Sequence, residues 1–228
     1  MASRFDLVVF DFDGTLANSS AWFAGIFNEI ADRFGFRALT AEQLHSLRGH
    51  SNREIIKQLG IPMWKMPFIA RHMRQRVASN AEFIPLFDGV SNLLQSLHGT
   101  GMTLAIVSSN SEANIRKILG QENANRIHHY GCGAGLFGKA RLLRSVIKRS
   151  GTSAKATLCV GDETRDIEAA RQVGAWAAAV GWGYASLEGL RRFNPDIVFE
   201  SMDELAQYCL APQSVHDASA RPNNTSRS

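Results

Sequence analysis

The stretch that decides the fold is LVVFDFDGTL, residues 7–16 of a chain of 228 residues. Its short, β-branched apolar run is typical of a strand buried in a parallel sheet, and it is too short for a core helix. Asp11 and Asp13 follow this run, where open α/β sheets bind their ligands. Because side chains two residues apart on a strand point the same way, both carboxylates can face one small site. The alternative is a strand that ends in an ordinary Asp-Gly turn.

A second apolar stretch, MTLAIVSSNS at residues 102–111, ends in hydroxyl and amide side chains. The hydroxyl of Ser108 can donate a hydrogen bond to an anionic oxygen, and the N–H groups that open the next helix can add further donors. Ser108 and Ser109 are therefore candidate contacts for an anion. The alternative is that these residues are ordinary helix caps.

Lys139 stands at the start of a helical pattern that runs to about Lys148. A lysine in the first turn of a helix opposes the helix dipole, so this position is unfavourable unless a negative group faces it. Lys139 is therefore a candidate partner for an anionic site. An exposed surface lysine is the alternative.

A third apolar stretch, residues 156–166, ends in GDETRD. Asp162 and Asp166 are four residues apart and share a face if a helix begins there, although acidic residues also cap helices favourably. Three strand ends then bring acidic and hydroxyl side chains to one edge of the sheet. Such hard oxygen ligands suit Mg²⁺, which takes its ligands from a few carboxylates, water and a substrate phosphate.

The motifs, in order, are DFDGT at residues 11–15, Ser108, Lys139, and Gly-Asp at 161–162 followed by Asp166. Together they resemble the four motifs of the haloacid dehalogenase superfamily of phosphotransferases. The resemblance runs from about Phe5 to about Cys209. The insert between the first two motifs looks like the helical cap of the phosphoglycolate phosphatase and β-phosphoglucomutase branch.

The resemblance implies an α/β fold, a Rossmann-like three-layer core around a parallel sheet with a small inserted helical cap domain. We expect the core to comprise residues 1–15 and 84–210 and the cap residues 16–83. The tail, residues 211–228, is rich in Ser, Asn, Pro and Ala and is predicted to be disordered.

The resemblance also implies roles for single residues in phosphoryl transfer. Asp11 is expected to attack phosphorus and form an aspartyl-phosphate, and Asp13 to act as general acid and base. Lys139 is expected to offset the negative charge of the nucleophile and substrate, and Ser108 with Ser109 to bind the phosphate.

Mg²⁺ is the cofactor that the resemblance implies. Its expected ligands are Asp11, the backbone carbonyl of Asp13, and Asp162, with Asp166 as a direct or indirect partner. Glu163 is expected to be a solvated glutamate in the first turn of the helix, and the alternative is that it helps to position the metal ligands.

The predicted cap offers candidates for contact with the rest of the substrate. Arg48 and His50 lie on a glycine-containing turn and can reach the non-phosphate end of a substrate; an ordinary surface turn is the alternative. Arg48 and Arg53 are also the candidate second phosphate grip of a phosphomutase. Arg53 lies in a helical stretch, where a solvated surface residue is the alternative, and this leaves Arg48 as the one remaining cap arginine. Because a single cap arginine suits a carboxylate or hydroxyl better than a full phosphate, the sequence favours hydrolysis.

Composition is consistent with an enzyme that acts on a small phosphorylated metabolite. The net charge is +4, yet no basic stripe with interleaved aromatics indicates nucleic-acid binding. No apolar run approaches membrane-spanning length and no signal-peptide pattern occurs, so we expect a cytoplasmic protein with no membrane contact. We also expect a monomer or homodimer. Three scattered cysteines indicate reduced thiols. A non-catalytic phosphate-binding or interaction module is the alternative class.

Overall fold

A computed structural model of the chain describes residues 4–133 and 138–211. The tail that the sequence predicts to be disordered lies almost entirely outside the described residues. The three cysteines form no disulfide in the part of the chain that is described.

The core is one parallel sheet of six strands in the order β3-β2-β1-β4-β5-β6. Their bounds are β1 Leu7–Phe10, β2 Thr103–Val107, β3 His129–Gly131, β4 Thr157–Gly161, β5 Trp176–Val180 and β6 Ile197–Phe199. This confirms the predicted α/β fold with a Rossmann-like core.

The position of β1 brings the three polar strand ends together. Strand β1 pairs with β2 on one side and with β4 on the other, and Phe10 lies opposite both Ile106 and Val160. The segments that follow these three strands therefore leave the same edge of the sheet side by side.

Ten α-helices lie within the described residues. Their bounds are α1 Ser20–Phe34, α2 Ala41–Ser46, α3 Asn52–Gln58, α4 Met66–Asn80, α5 Val90–Gly99, α6 Glu112–Arg126, α7 Lys139–Ser150, α8 Thr164–Val173, α9 Leu187–Arg191 and α10 Met202–Leu210. Helix α6 is kinked at Gly120, whose φ of 73° is not helical. None of the helices in this part of the chain has the length and apolar character that crossing a bilayer requires.

Alternate residues of β1 pack on opposite faces of the sheet. Val8 and Phe10 belong to the apolar cluster on one face, and Leu7 and Val9 to the cluster on the other. Helices α5, α6 and α10 cover the first face, and α7, α8 and α9 cover the second. A strand buried on both faces explains the uninterrupted apolar run in the sequence.

The insert between β1 and β2 begins with four helices and returns to the core at α5. Helix α1 buries Phe27 and Ile30, as its apolar spacing predicts. Thr40 and Ser51 cap α2 and α3, each accepting a hydrogen bond from the backbone N–H three residues later. The helical insert is thus built from locally encoded helices.

The interior position of β2, which is paired on both sides in the sheet, gives the first testable prediction. Leu104 is fully buried in this strand, so Leu104→Ala is expected to lower the free energy of unfolding by about 2–5 kcal/mol. Met63 in the insert is 48% exposed, and Met63→Ala is expected to change it by less than about 0.5 kcal/mol. Urea unfolding of both variants measures the difference, and equal losses would contradict this assignment of the core.

Candidate active site

Asp11 is held directly beyond the end of β1. Its backbone N–H donates to the carbonyl of Val160 at 2.8 Å, which extends the pairing with β4. The residue is 3% exposed, and its side-chain Oδ1 accepts a hydrogen bond from the N–H of Phe12 at 2.8 Å. The carboxylate is therefore buried and fixed.

Lys139 supplies the cation that faces Asp11. Its Nζ lies 2.8 Å from Oδ2 of Asp11 and also forms an ion pair with Asp166. Burial acts to lower the pKa of Lys139, but the charges of Asp11 and Asp166 outweigh it and raise the pKa, so the ammonium stays charged. The negative partner that the sequence required for this lysine is present, and the exposed alternative is wrong.

Asp162 is fully buried at the end of β4 and is held by two donors. The hydroxyl of Thr15 and the backbone N–H of Tyr184 each donate to one of its carboxylate oxygens at 2.8 Å. Gly14 and Gly183 lie so close that a Cβ on either would overlap Asp162. The small residue after Asp13 in the first motif thus makes room for the carboxylate of the fourth.

Helix α8 begins at Thr164, so Asp162 and Asp166 do not share a helix face as the sequence suggested. Asp166 is the third residue of the helix, and its Oδ2 accepts from the backbone N–H of Glu163 at 3.0 Å. The two aspartates converge because Asp162 precedes the helix and Asp166 lies within its first turn.

The prediction that Glu163 is solvated is wrong. Its side chain is 18% exposed and forms an ion pair with Arg165. Its Oε2 also accepts a hydrogen bond from the amide of Asn52 at 2.8 Å. Tertiary contacts with the helical insert therefore remove it from solvent.

One buried group of carboxylates fits a metal ion. Asp11, Asp162 and Asp166 each offer an oxygen, and these atoms lie within 4.8 Å of one another. Burial, followed by the charges of Glu163, Asp11 and Asp166, raises the pKa of Asp162 well above its usual value. Burial also raises that of Asp166 to about 6, despite Lys139. A cation among hard oxygen ligands would relieve this excess of negative charge.

Asp13 lies beside this group but makes different contacts. Its Oδ1 accepts from the hydroxyl of Ser19 at 3.1 Å, and its Oδ2 accepts from the amide of Asn110 at 3.2 Å. Burial and the charge of Asp11 raise the pKa of Asp13 to about 6. Such a carboxyl group changes protonation state near neutral pH, as an acid and base must.

Ser108 is buried at the end of β2, where its backbone N–H donates to the carbonyl of Gly131 at 3.0 Å. Its hydroxyl accepts from the N–H of Asn110 at 3.1 Å, and Ser111, not Ser108 or Ser109, caps α6. The position of Ser108 at the shared sheet edge agrees with the sequence, whereas its interpretation as a helix cap is wrong.

A cavity of about 800 Å³ lies between the insert and the core, and Asp13, Ser109, Arg48 and His50 are among its lining residues. The guanidinium of Arg48 is directed at the core loop after β5, where Nε and Nη2 donate to the carbonyls of Tyr184 and Gly183 at 2.8 and 2.9 Å. The buried Nδ1 of His50 has no hydrogen-bond partner among the described residues.

Sequence reasoning missed the polar side chains that hold the carboxylates. Asn110 and Ser19 contact Asp13, and the hydroxyl of Ser19 lies 2.8 Å from that of Tyr184. The only signal for Asn110 was its place after Ser108 and Ser109 at a strand end. Tyr184 carried no signal, because it reaches the site from a loop far along the chain.

Comparison with known proteins identifies relatives from the superfamily that the sequence motifs resemble. A family model described as haloacid dehalogenase-like hydrolase matches residues 8–180. A phosphoglycolate phosphatase of Synechococcus elongatus is 34% identical over 201 residues, which cover 88% of this chain and 95% of that protein.

Two solved structures share the fold at low identity. A haloacid dehalogenase-like family hydrolase of Streptococcus pneumoniae has a TM-score of 0.74 and 18% identity, covering 90% of this chain and 98% of that one. CbbY of Rhodobacter sphaeroides, solved in complex with xylulose-(1,5)bisphosphate, has a TM-score of 0.69 and 20% identity, covering 88% and 96%.

The raised pKa of Asp13 predicts a stability effect. The folded state holds this proton up to about pH 6, whereas the unfolded chain releases it near 3.8. Stability is therefore lost as the pH rises through this interval. Asp13→Asn is expected to raise the free energy of unfolding of the metal-free protein by about 1–3 kcal/mol near pH 7.5. The gain is expected to shrink as the pH falls from about 6 to about 4, because the carboxyl group is then increasingly protonated in the unfolded chain as well.

Urea unfolding in the presence of a chelator, near pH 7.5 and again near pH 4, measures this effect. Asp32→Asn on the exposed side of α1 is the matched control and is expected to have little effect at either pH. An Asp13→Asn variant no more stable than wild type near pH 7.5 would contradict the raised pKa of this carboxyl group.

Proposed function

We propose that this phosphatase, which belongs to the haloacid dehalogenase-like hydrolase family, hydrolyses a small phosphate monoester through an aspartyl-phosphate on Asp11. The observation that carries the proposal is the buried Asp11 carboxylate, whose Oδ2 lies 2.8 Å from the ammonium of Lys139 at the edge where three strand ends meet. A fixed carboxylate beside a cation is suited to attack an anionic phosphoryl group.

In the proposed reaction, an oxygen of Asp11 attacks phosphorus and the ester oxygen leaves. Asp13 gives its proton to that oxygen, then takes a proton from the water that hydrolyses the aspartyl-phosphate. A pKa of about 6 supports this alternation. Ser108 and Ser109 are proposed to bind phosphate oxygens, and Lys139 to stabilise their charge.

The proposed cofactor is Mg²⁺. Asp11, Asp162 and Asp166 would hold it together with the backbone carbonyl of Asp13, and the fit rests on the three carboxylate oxygens within 4.8 Å of one another. When bound, the ion would supply positive charge to the phosphoryl group and its nucleophile.

The proposed substrate class is a small phosphorylated metabolite, with phosphoglycolate as the first ester to test. Support comes from the printed name of the Synechococcus relative, which is 34% identical across 88% of this chain. Arg48 and His50 line the cavity beside Asp13 and are proposed to lie near the leaving group. A cytoplasmic location and a monomeric or homodimeric state stay predictions of the sequence.

A phosphomutase is less well supported than a phosphatase. A mutase must grip a second phosphate with fixed cations, and Arg48 was one candidate. The guanidinium of Arg48 already donates to the carbonyls of Gly183 and Tyr184. Because these hydrogen bonds occupy Arg48, the guanidinium is not free to hold a second phosphate. This favours water, and not a hydroxyl of a bound sugar phosphate, as the acceptor of the phosphoryl group.

The direct test of the function is a panel of phosphoglycolate, sugar phosphates, nucleotides and an aryl phosphate, assayed with Mg²⁺ and with chelator. We expect inorganic phosphate to be released from at least one ester only when Mg²⁺ is present. No turnover of any ester, together with no metal binding by calorimetry, would favour a non-catalytic phosphate-binding module.

Substitution of the two aspartates separates their roles. Asp11→Asn is expected to abolish turnover and phosphoenzyme formation, because a neutral amide is a poor nucleophile. Asp13→Asn is expected to form phosphoenzyme from an aryl phosphate, whose leaving group needs no proton, but to hydrolyse it roughly a hundredfold more slowly. Rapid-quench kinetics measures both steps, and equal loss of every step in both variants would refute this division.

A further inference from the structure

Arg165 is a cation that lies inside the GDETRD stretch of residues 161–166 but is not one of the motif residues that the sequence analysis singled out. It lies in the first turn of α8, between Glu163 and Asp166, and its side chain is 20% exposed. It lines both the 800 Å³ cavity beside Asp13 and a second cavity of about 200 Å³, which Lys139 also lines. Arg165 therefore borders both cavities.

Arg165 brings a permanent positive charge to this part of the molecule. A guanidinium is not deprotonated in proteins, so its charge does not depend on the carboxylates around it. The side chain shares one cavity with Asp13 and the other with Lys139.

The terminal nitrogens of Arg165 take no part in its ion pair with Glu163. The ion pair with Glu163 is made through Nε. A guanidinium has further donors on its terminal nitrogens, and these form paired hydrogen bonds with phosphate oxygens.

Glu163 connects Arg165 to the helical insert. Its Oε2 takes part in the ion pair with Arg165 and also accepts the hydrogen bond from Asn52, the first residue of α3. The orientation of Arg165 is therefore tied to contact between the insert and the core.

We propose that Arg165 is a second cationic contact, beside Lys139, for the phosphoryl group of the substrate, and that Glu163 and Asn52 position its guanidinium when the insert lies against the core. The inference rests on the proposed phosphatase function for its substrate. It adds Arg165 as a residue that touches the substrate, and Glu163 and Asn52 as two residues that act by positioning Arg165.

The test uses the full chain with Mg²⁺ and two esters of similar size. Phosphoglycolate carries a carboxylate on its leaving group, whereas 2-hydroxyethyl phosphate does not. Arg165→Gln is expected to raise KM for both esters, and the Kd for inorganic phosphate, by roughly tenfold or more, since a hydrogen bond to a charged group is lost. Arg165→Lys is expected to recover part of the lost affinity, because lysine keeps the positive charge but cannot form the paired hydrogen bonds of a guanidinium.

The positioning role is tested by Asn52→Ala, which is expected to raise the same constants by a smaller factor. Combined with Arg165→Gln it is expected to add almost nothing, because Asn52 acts through Arg165. Arg171→Gln, exposed near the end of the same helix, is the matched control and is expected to leave all constants unchanged. Urea unfolding of each variant separates these effects from loss of the fold.

Each remaining result overturns part of the proposal. Unchanged constants in Arg165→Gln would remove Arg165 from the substrate, and a loss confined to phosphoglycolate would assign it to the carboxylate instead. Additive effects in the double variant would refute positioning by Asn52. If wild type hydrolyses no ester but binds phosphate in an Arg165-dependent manner, the proposed function fails while the phosphate contact stands.

Discussion

The ion pairs of one buried ammonium with two carboxylates are the interaction on which the site depends. Lys139 lies against Asp11 and Asp166, and all three side chains are at most 10% exposed. Removing such charges from water is unfavourable by several kcal/mol for each ion unless partners replace the water. The ammonium is one of those partners, and the carboxylates that surround it still carry an excess of negative charge.

The order of the strands in the sheet brings the residues of the site together. Strand β1 is paired on both sides, so the segments after β1, β2 and β4 leave the sheet as neighbours. The turn after Asp13 and the loop containing Gly183 then come so close to Asp162 that no side chain fits there. Backbone positions set by the sheet thus hold these carboxylates close together although they repel one another.

The part of the site encoded in local pattern was predictable. An apolar run followed by acidic residues identified the strand ends, and the unfavourable position of Lys139 at a helix start indicated a negative partner, which the structure supplies. The partners of Glu163 were not predictable, because a glutamate before a helix is usually solvated. Its contact with Asn52 joins residues 111 positions apart. Asn110, Tyr184 and Arg165 were missed because their roles depend on tertiary contacts, which leave no periodicity in the sequence.

The central claim is that this buried carboxylate cluster transfers a phosphoryl group through Asp11. The most direct measurement is acid quench of the enzyme during turnover of an activated aryl phosphate with Mg²⁺, followed by peptide mapping of the phosphoryl label by mass spectrometry. The account predicts a label on Asp11 that hydroxylamine removes, as expected of an acyl phosphate. A label on Ser108 or Ser109, or turnover without any labelled residue, would contradict it.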